Sequence, residues 1–133
     1  MRDALVQRIH TIEEAYEFML AYAAQGLSGD AGSQSGGQLR ELMGRGADAL
    51  AGLTAAIDAA AQPGAAFIAF RDVVDQDAGR ALAAIRLVLA QPAISSQVVD
   101  NLNASMHLRA LLADLFLLDE ILKPVGTRQP PSI

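Results

Sequence analysis

The chain has 133 residues, a net charge of −5 and no cysteine, and 52 % of it is hydrophobic against 19 % charged. That length suits one domain rather than two, and the apolar excess excludes a disordered chain. Without cysteine there is no disulfide scaffold, thiolate metal site or cysteine nucleophile, and ten scattered Lys and Arg residues under a negative net charge make nucleic acid and anionic membranes poor partners.

The apolar mass is mostly Ala and Leu, both strong helix formers. Aromatic residues make up 5 % of the chain, too few for a sandwich or barrel. An all-α fold is therefore expected. The first helix is predicted from Asp3 to Gly26. Leu5, Ile9, Ile12, Tyr16, Met19 and Ala23 recur at three- and four-residue steps, the stripe of a helix packed in a bundle. Asp3, His10, Glu13, Glu14 and Glu17 fall on the opposite face. Residues 26–37, rich in Gly and Ser, read as a mobile connector.

The second helix is predicted from Gln38 to Gln62, on Leu39, Leu42, Gly46, Leu50, Leu53, Ile57 and Ala60. Pro63-Gly64 ends it. The third is predicted from Ala65 to Gln91, on Phe67, Phe70, Val74, Ala78, Ala81, Ile85 and Val88, and Pro92 stops it. The fourth is predicted from Gln97 to Lys123, with Ser95 or Ser96 as its N-cap. Its second half is apolar on almost every side, so Leu112, Phe116 and Leu117 are expected at an interface with another chain. Four rods of similar length, each about 35 Å long, point to an antiparallel up-down four-helix bundle over residues 1–124, dimeric in use. Residues 125–133 are expected to form a tail.

Four groups of residues are candidates for chemistry. Asp100, Asn103, His107 and Asp114 project within about 60° on the fourth helix, taking 100° per residue. A histidine between carboxylates is a divalent-metal or proton-transfer group if that line points inward. A line exposed in its first half, and buried only later, is the plainer expectation, because unpaired polar groups are costly in a core. His10 and Glu14 on the first helix extend the metal alternative, yet no Glu-x-x-His occurs, so a solvated acidic face accounts for them. Asp72, Asp75 and Asp77 lie in a helical pattern and are expected to pair with Arg71 and Arg80. The glycine-rich loop carries neither nucleotide fingerprint.

No nucleophile is set in an elbow motif. The sequence therefore points to a non-enzymatic interaction protein, a homodimer or an accessory subunit on another protein. It carries no cofactor in that role. The alternative is a bundle metalloprotein or small enzyme using His107 with Asp100 or Asp114. A charged N-terminus without an apolar signal core, and no run of membrane-spanning length, make a cytoplasmic location the expectation.

Overall fold

The computed structural model describes residues 2–123. The expected tail, 125–133, lies outside the described residues. Within them the chain is all-helical, with no strand: α1 Arg2–Ala23, α2 Gln34–Ala51, α3 Leu53–Ala59, α4 Ala65–Leu89, α5 Ser96–Ala104 and α6 His107–Leu122. One buried cluster joins side chains from all six helices. Of the stripe read on the first helix, Leu5, Ile9, Ile12 and Met19 are buried, Tyr16 and Ala23 are partly buried against the core, and Tyr22 beside it is buried as well. Each such buried residue stabilises the fold by roughly 1.5–3 kcal/mol. α1 packs against α2, α3, α5 and α6, and α4 packs against α2, α3, α5 and α6.

Two of the four expected rods are broken. The second is interrupted at Gly52, which separates α2 from α3. The Arg8 guanidinium of α1 occupies the break and donates to the carbonyls of Asp48 and Ala49, each at 3.3 Å. These carbonyls belong to the last turn of α2, where helix acceptors run short of intrahelical donors, although the Asp48 carbonyl also accepts from the Gly52 amide at 3.3 Å. A side chain at position 52 would meet that guanidinium at 2.5 Å. The fourth rod is interrupted at Ser105–Met106. Met106 has φ 64°, the only positive φ on a non-glycine among the described residues, and its side chain is exposed. A second helix therefore starts afresh at His107.

The Gly/Ser connector is not a mobile strap. Ser33 caps α2, its hydroxyl accepting from the Gly36 amide at 3.0 Å, so α2 begins four residues earlier than expected. Asp30 just before it is buried. Its carboxylate accepts from the Arg40 guanidinium and from the Ile94 amide at 2.7 Å. Arg40 also donates to the carbonyls of Leu89 at 3.1 Å and Gln91 at 2.9 Å. Nearby, the Tyr22 hydroxyl donates to the Ile94 carbonyl at 2.8 Å. The Ser96 hydroxyl donates to the Tyr22 carbonyl at 2.7 Å and accepts from the Leu27 amide at 2.9 Å. The loop and the α4–α5 turn are thus fastened to each other.

Gly36 is what allows Asp30 so close. A Cβ there would lie 1.8 Å from the Asp30 carbonyl oxygen, whereas one at Gly37 meets nothing. Gly36→Ala is expected to lower stability by about 2 kcal/mol or more. Gly37→Ala should raise it by roughly 0.5–1 kcal/mol. Urea unfolding of the two variants measures the contrast. Met106→Gly relieves a left-handed backbone and should raise the unfolding free energy by up to about 1 kcal/mol. A loss of stability on thermal or urea unfolding would contradict strain at that position.

Candidate functional site

α6 lies between α1 and α4. Its helical period turns Leu108, Leu111, Leu115 and Leu118 into the core, all of them buried. Of the three residues expected to await a partner, Leu112 is already covered. It is 4 % exposed, because α1 packs over that side. Phe116 and Leu117 remain outside, at 47 % and 53 % exposure. They follow each other in the chain, so they project 100° apart and face different neighbours.

Phe116 borders a groove of about 400 Å³ between α1 and α6. Tyr16, Leu20, Leu112, Ala113 and Phe116 make it mostly apolar, and Glu13, Glu17 and Arg109 stand along it. Leu117 faces the other way. It lines a smaller groove of about 290 Å³ with Phe67 and Phe70 of α4. The surface of α6 therefore divides into two apolar channels with Phe116 and Leu117 on the ridge between them.

The polar line of the expected fourth helix is split by the Met106 break. Asp100 is exposed on α5, and His107 is half-buried as the first residue of α6. Asn103 turns inward, donating to the Met19 carbonyl at 3.2 Å, while its Oδ1 is buried with no hydrogen-bond partner. Asp114 also turns inward. His10 and Glu14 stay exposed on α1. Among the described residues, no three His, Asp or Glu side chains gather where they could hold a metal ion.

Most of the basic residues are committed to structure. Arg2 meets Asp119 at 3.0 Å, and Arg80 meets Asp77 at 3.1 Å. Arg71 pairs mainly with Asp58, at 2.9 Å, and also with Asp72 at 3.2 Å. Asp75 accepts from the Thr54 hydroxyl at 2.6 Å rather than from Arg71. Arg109 has no salt-bridge partner among the described residues. Periodicity did not single out Arg109, Tyr16 and Leu20 as a group. The available signal was Leu20 itself, an apolar residue off the buried stripe and one turn from Tyr16.

A carboxyl pair links α4 to α6. Burial, then a hydrogen bond to Asp77, then the Asp77 charge raise the Asp114 carboxyl to about 6. Its Oδ2 is buried without a partner. A carboxylate beside a half-buried carboxyl makes ionising the second one costly, which is why Asp114 holds its proton to a higher pH.

The folded value lies above the ordinary 3.8. The stabilisation is therefore complete below that ordinary value and is lost as pH rises through about 6. Asp114→Asn keeps the hydrogen bond without the charge. It should raise stability at neutral pH by about 2 kcal/mol and flatten thermal stability across that pH window. Differential scanning calorimetry at several pH values checks both. Compared with protein-family models, with curated proteins and with solved structures, the chain finds no match.

Proposed function

We propose that this protein is a non-enzymatic interaction module that works by associating with another folded chain through the outer face of α6. In this reading the six helices act as an antiparallel bundle of four rods, two of them broken. One observation carries the proposal. Phe116 and Leu117 stand half exposed on a helix whose inward face is already filled, beside a channel with an apolar floor. Burying a Phe and a Leu side chain contributes roughly 1.5–3 kcal/mol each. Aromatic residues at the centre of a patch are the usual anchors of protein association. The many apolar residues of α6, on more sides than its core face needs, fit a segment covered on more than one side.

The test is the size of the protein in an extract of the cells that make it. The wild type is expected to elute well above its 14.0 kDa monomer. A Phe116→Asp, Leu117→Asp double variant should elute as the monomer, with an unchanged far-ultraviolet dichroism spectrum. Monomeric elution of the wild type would overturn the proposal.

A further inference from the structure

We infer that Met106 is a reversible oxidation site: the folded chain takes a two-electron oxidation at that sulfur and keeps its fold, while the two buried methionine sulfurs are held back. Composition narrows the targets. The chain has no cysteine and no tryptophan, so no thiolate competes for a peroxide and the methionine thioethers are its readily oxidised groups. Three of the four methionines fall among the described residues. Met19 is 1 % exposed and Met43 0 %, both inside the core cluster, whereas Met106 is 50 % exposed. A peroxide must meet the sulfur directly. It reaches Met106 in the folded protein, and reaches the other two only when the core opens.

The place of Met106 makes that oxidation tolerable. It sits at the corner between α5 and α6, outside both helices, with the left-handed φ of 64° that turns the chain there. Its backbone is tied on both sides. The amide donates to the Asn103 carbonyl at 3.1 Å, and the carbonyl accepts from the Ala110 amide at 2.9 Å. Neither bond involves the sulfur. The step balances with a hydroperoxide alone. The O–O bond of hydrogen peroxide breaks, one oxygen bonds to Sδ, the sulfur gives up two electrons, and the other oxygen leaves as water with both peroxide protons. At this half-exposed corner the new oxygen meets water. The same oxygen on Met19 or Met43 is a polar atom buried in an apolar cluster, which is costly. Reversal takes a methionine sulfoxide reductase: two thiols become a disulfide and the oxygen leaves as water. The exposure that admits the peroxide also admits that enzyme. Burial thus divides oxidation into a removable event at Met106 and damaging events in the core.

Hydrogen peroxide treatment of the folded full chain, read residue by residue with peptide mass spectrometry, tests this. Sulfoxide at Met106 is expected to form roughly tenfold or more faster than at Met19 or Met43, and the three rates should converge in urea that unfolds the chain. Protein oxidised at Met106 should keep its far-ultraviolet dichroism spectrum and melt within about 3 °C of the untreated chain. The two reductases, one for each sulfoxide epimer, should together return Met106 to the thioether. Met106→Leu keeps the volume without the sulfur. In that variant Met19 and Met43 should oxidise at the wild-type rate, and helical signal should fall only as they do. Slower oxidation of Met19 and Met43 there would show that a sulfoxide at position 106 opens the fold, and would overturn the proposal. Equal rates at Met106 and either buried methionine in the folded chain, or a sulfoxide at 106 that the reductases leave in place, would overturn it as well.

Discussion

The Asp30 carboxylate is where three parts of this chain are tied together. It sits buried in the first loop and takes hydrogen bonds from Arg40 in α2 and from the Ile94 amide in the α4–α5 turn. A lone buried charge would cost several kcal/mol, so the cation and the amide are required and not incidental. Arg40 first, then the Ile94 amide, hold the Asp30 carboxyl below its ordinary value. A lowered carboxyl contributes stability above the unfolded value and loses it as pH falls through the folded one. The node is therefore secure at neutral pH. By fixing the turn that precedes Ser95 and Ser96 it sets where α5 begins, and α5 hands the chain to α6.

From that placement the rest of α6 follows. It enters between α1 and α4, and Leu108, Leu111, Leu115 and Leu118 fill the space inside. Leu112 is covered by α1, while Phe116 and Leu117 stay half exposed among the described residues. Asp114 lies on the α4 side, where Asp77 already answers to Arg80 at 3.1 Å. Burial and the Asp77 charge together disfavour ionising Asp114, so this α4–α6 contact is most stable with Asp114 protonated. A helix that is apolar on nearly every side thus has an inner face satisfied by its own fold, a flank whose packing responds to pH, and an outer ridge that stays half exposed.

The stripes were plain in the sequence because burial follows the helical period. Leu5, Ile9, Ile12 and Met19 are buried as their spacing required, and the excess apolar surface of the last helix was visible too. The breaks were not. Leu50, Leu53 and Ile57 keep a three- and four-residue rhythm straight through Gly52, so periodicity reads the two helices as one. At the interruption the guanidinium of Arg8, more than forty residues earlier, donates to the Asp48 and Ala49 carbonyls, a contact no local pattern announces. Met106 is no better marked, since a left-handed methionine has no sequence signature. Asp30 sits in a stretch whose composition reads as linker. Its burial depends on Arg40 and Ile94, and no local pattern reports a contact across sixty residues. The groove is hidden for the same reason, as two short segments from opposite ends of the chain make it.

Exposed apolar side chains alone would not single out this face. Ile68, Val73 and Leu87 on α4 are exposed as well, at 59 %, 44 % and 66 %. Scattered apolar residues of this kind are normal on any surface, where polar atoms are too few to cover it. What separates Leu20 and Phe116 from them is company. They flank one groove with a buried leucine in its floor, and Glu13, Glu17 and Arg109 stand along its lips without a salt bridge among the described residues. On α4 the charges at Arg71 and Arg80 are already spent on Asp58, Asp72 and Asp77. An apolar ridge flanked by charges that form no salt bridge is the kind of surface that sets a docking face apart from scattered exposed apolar residues.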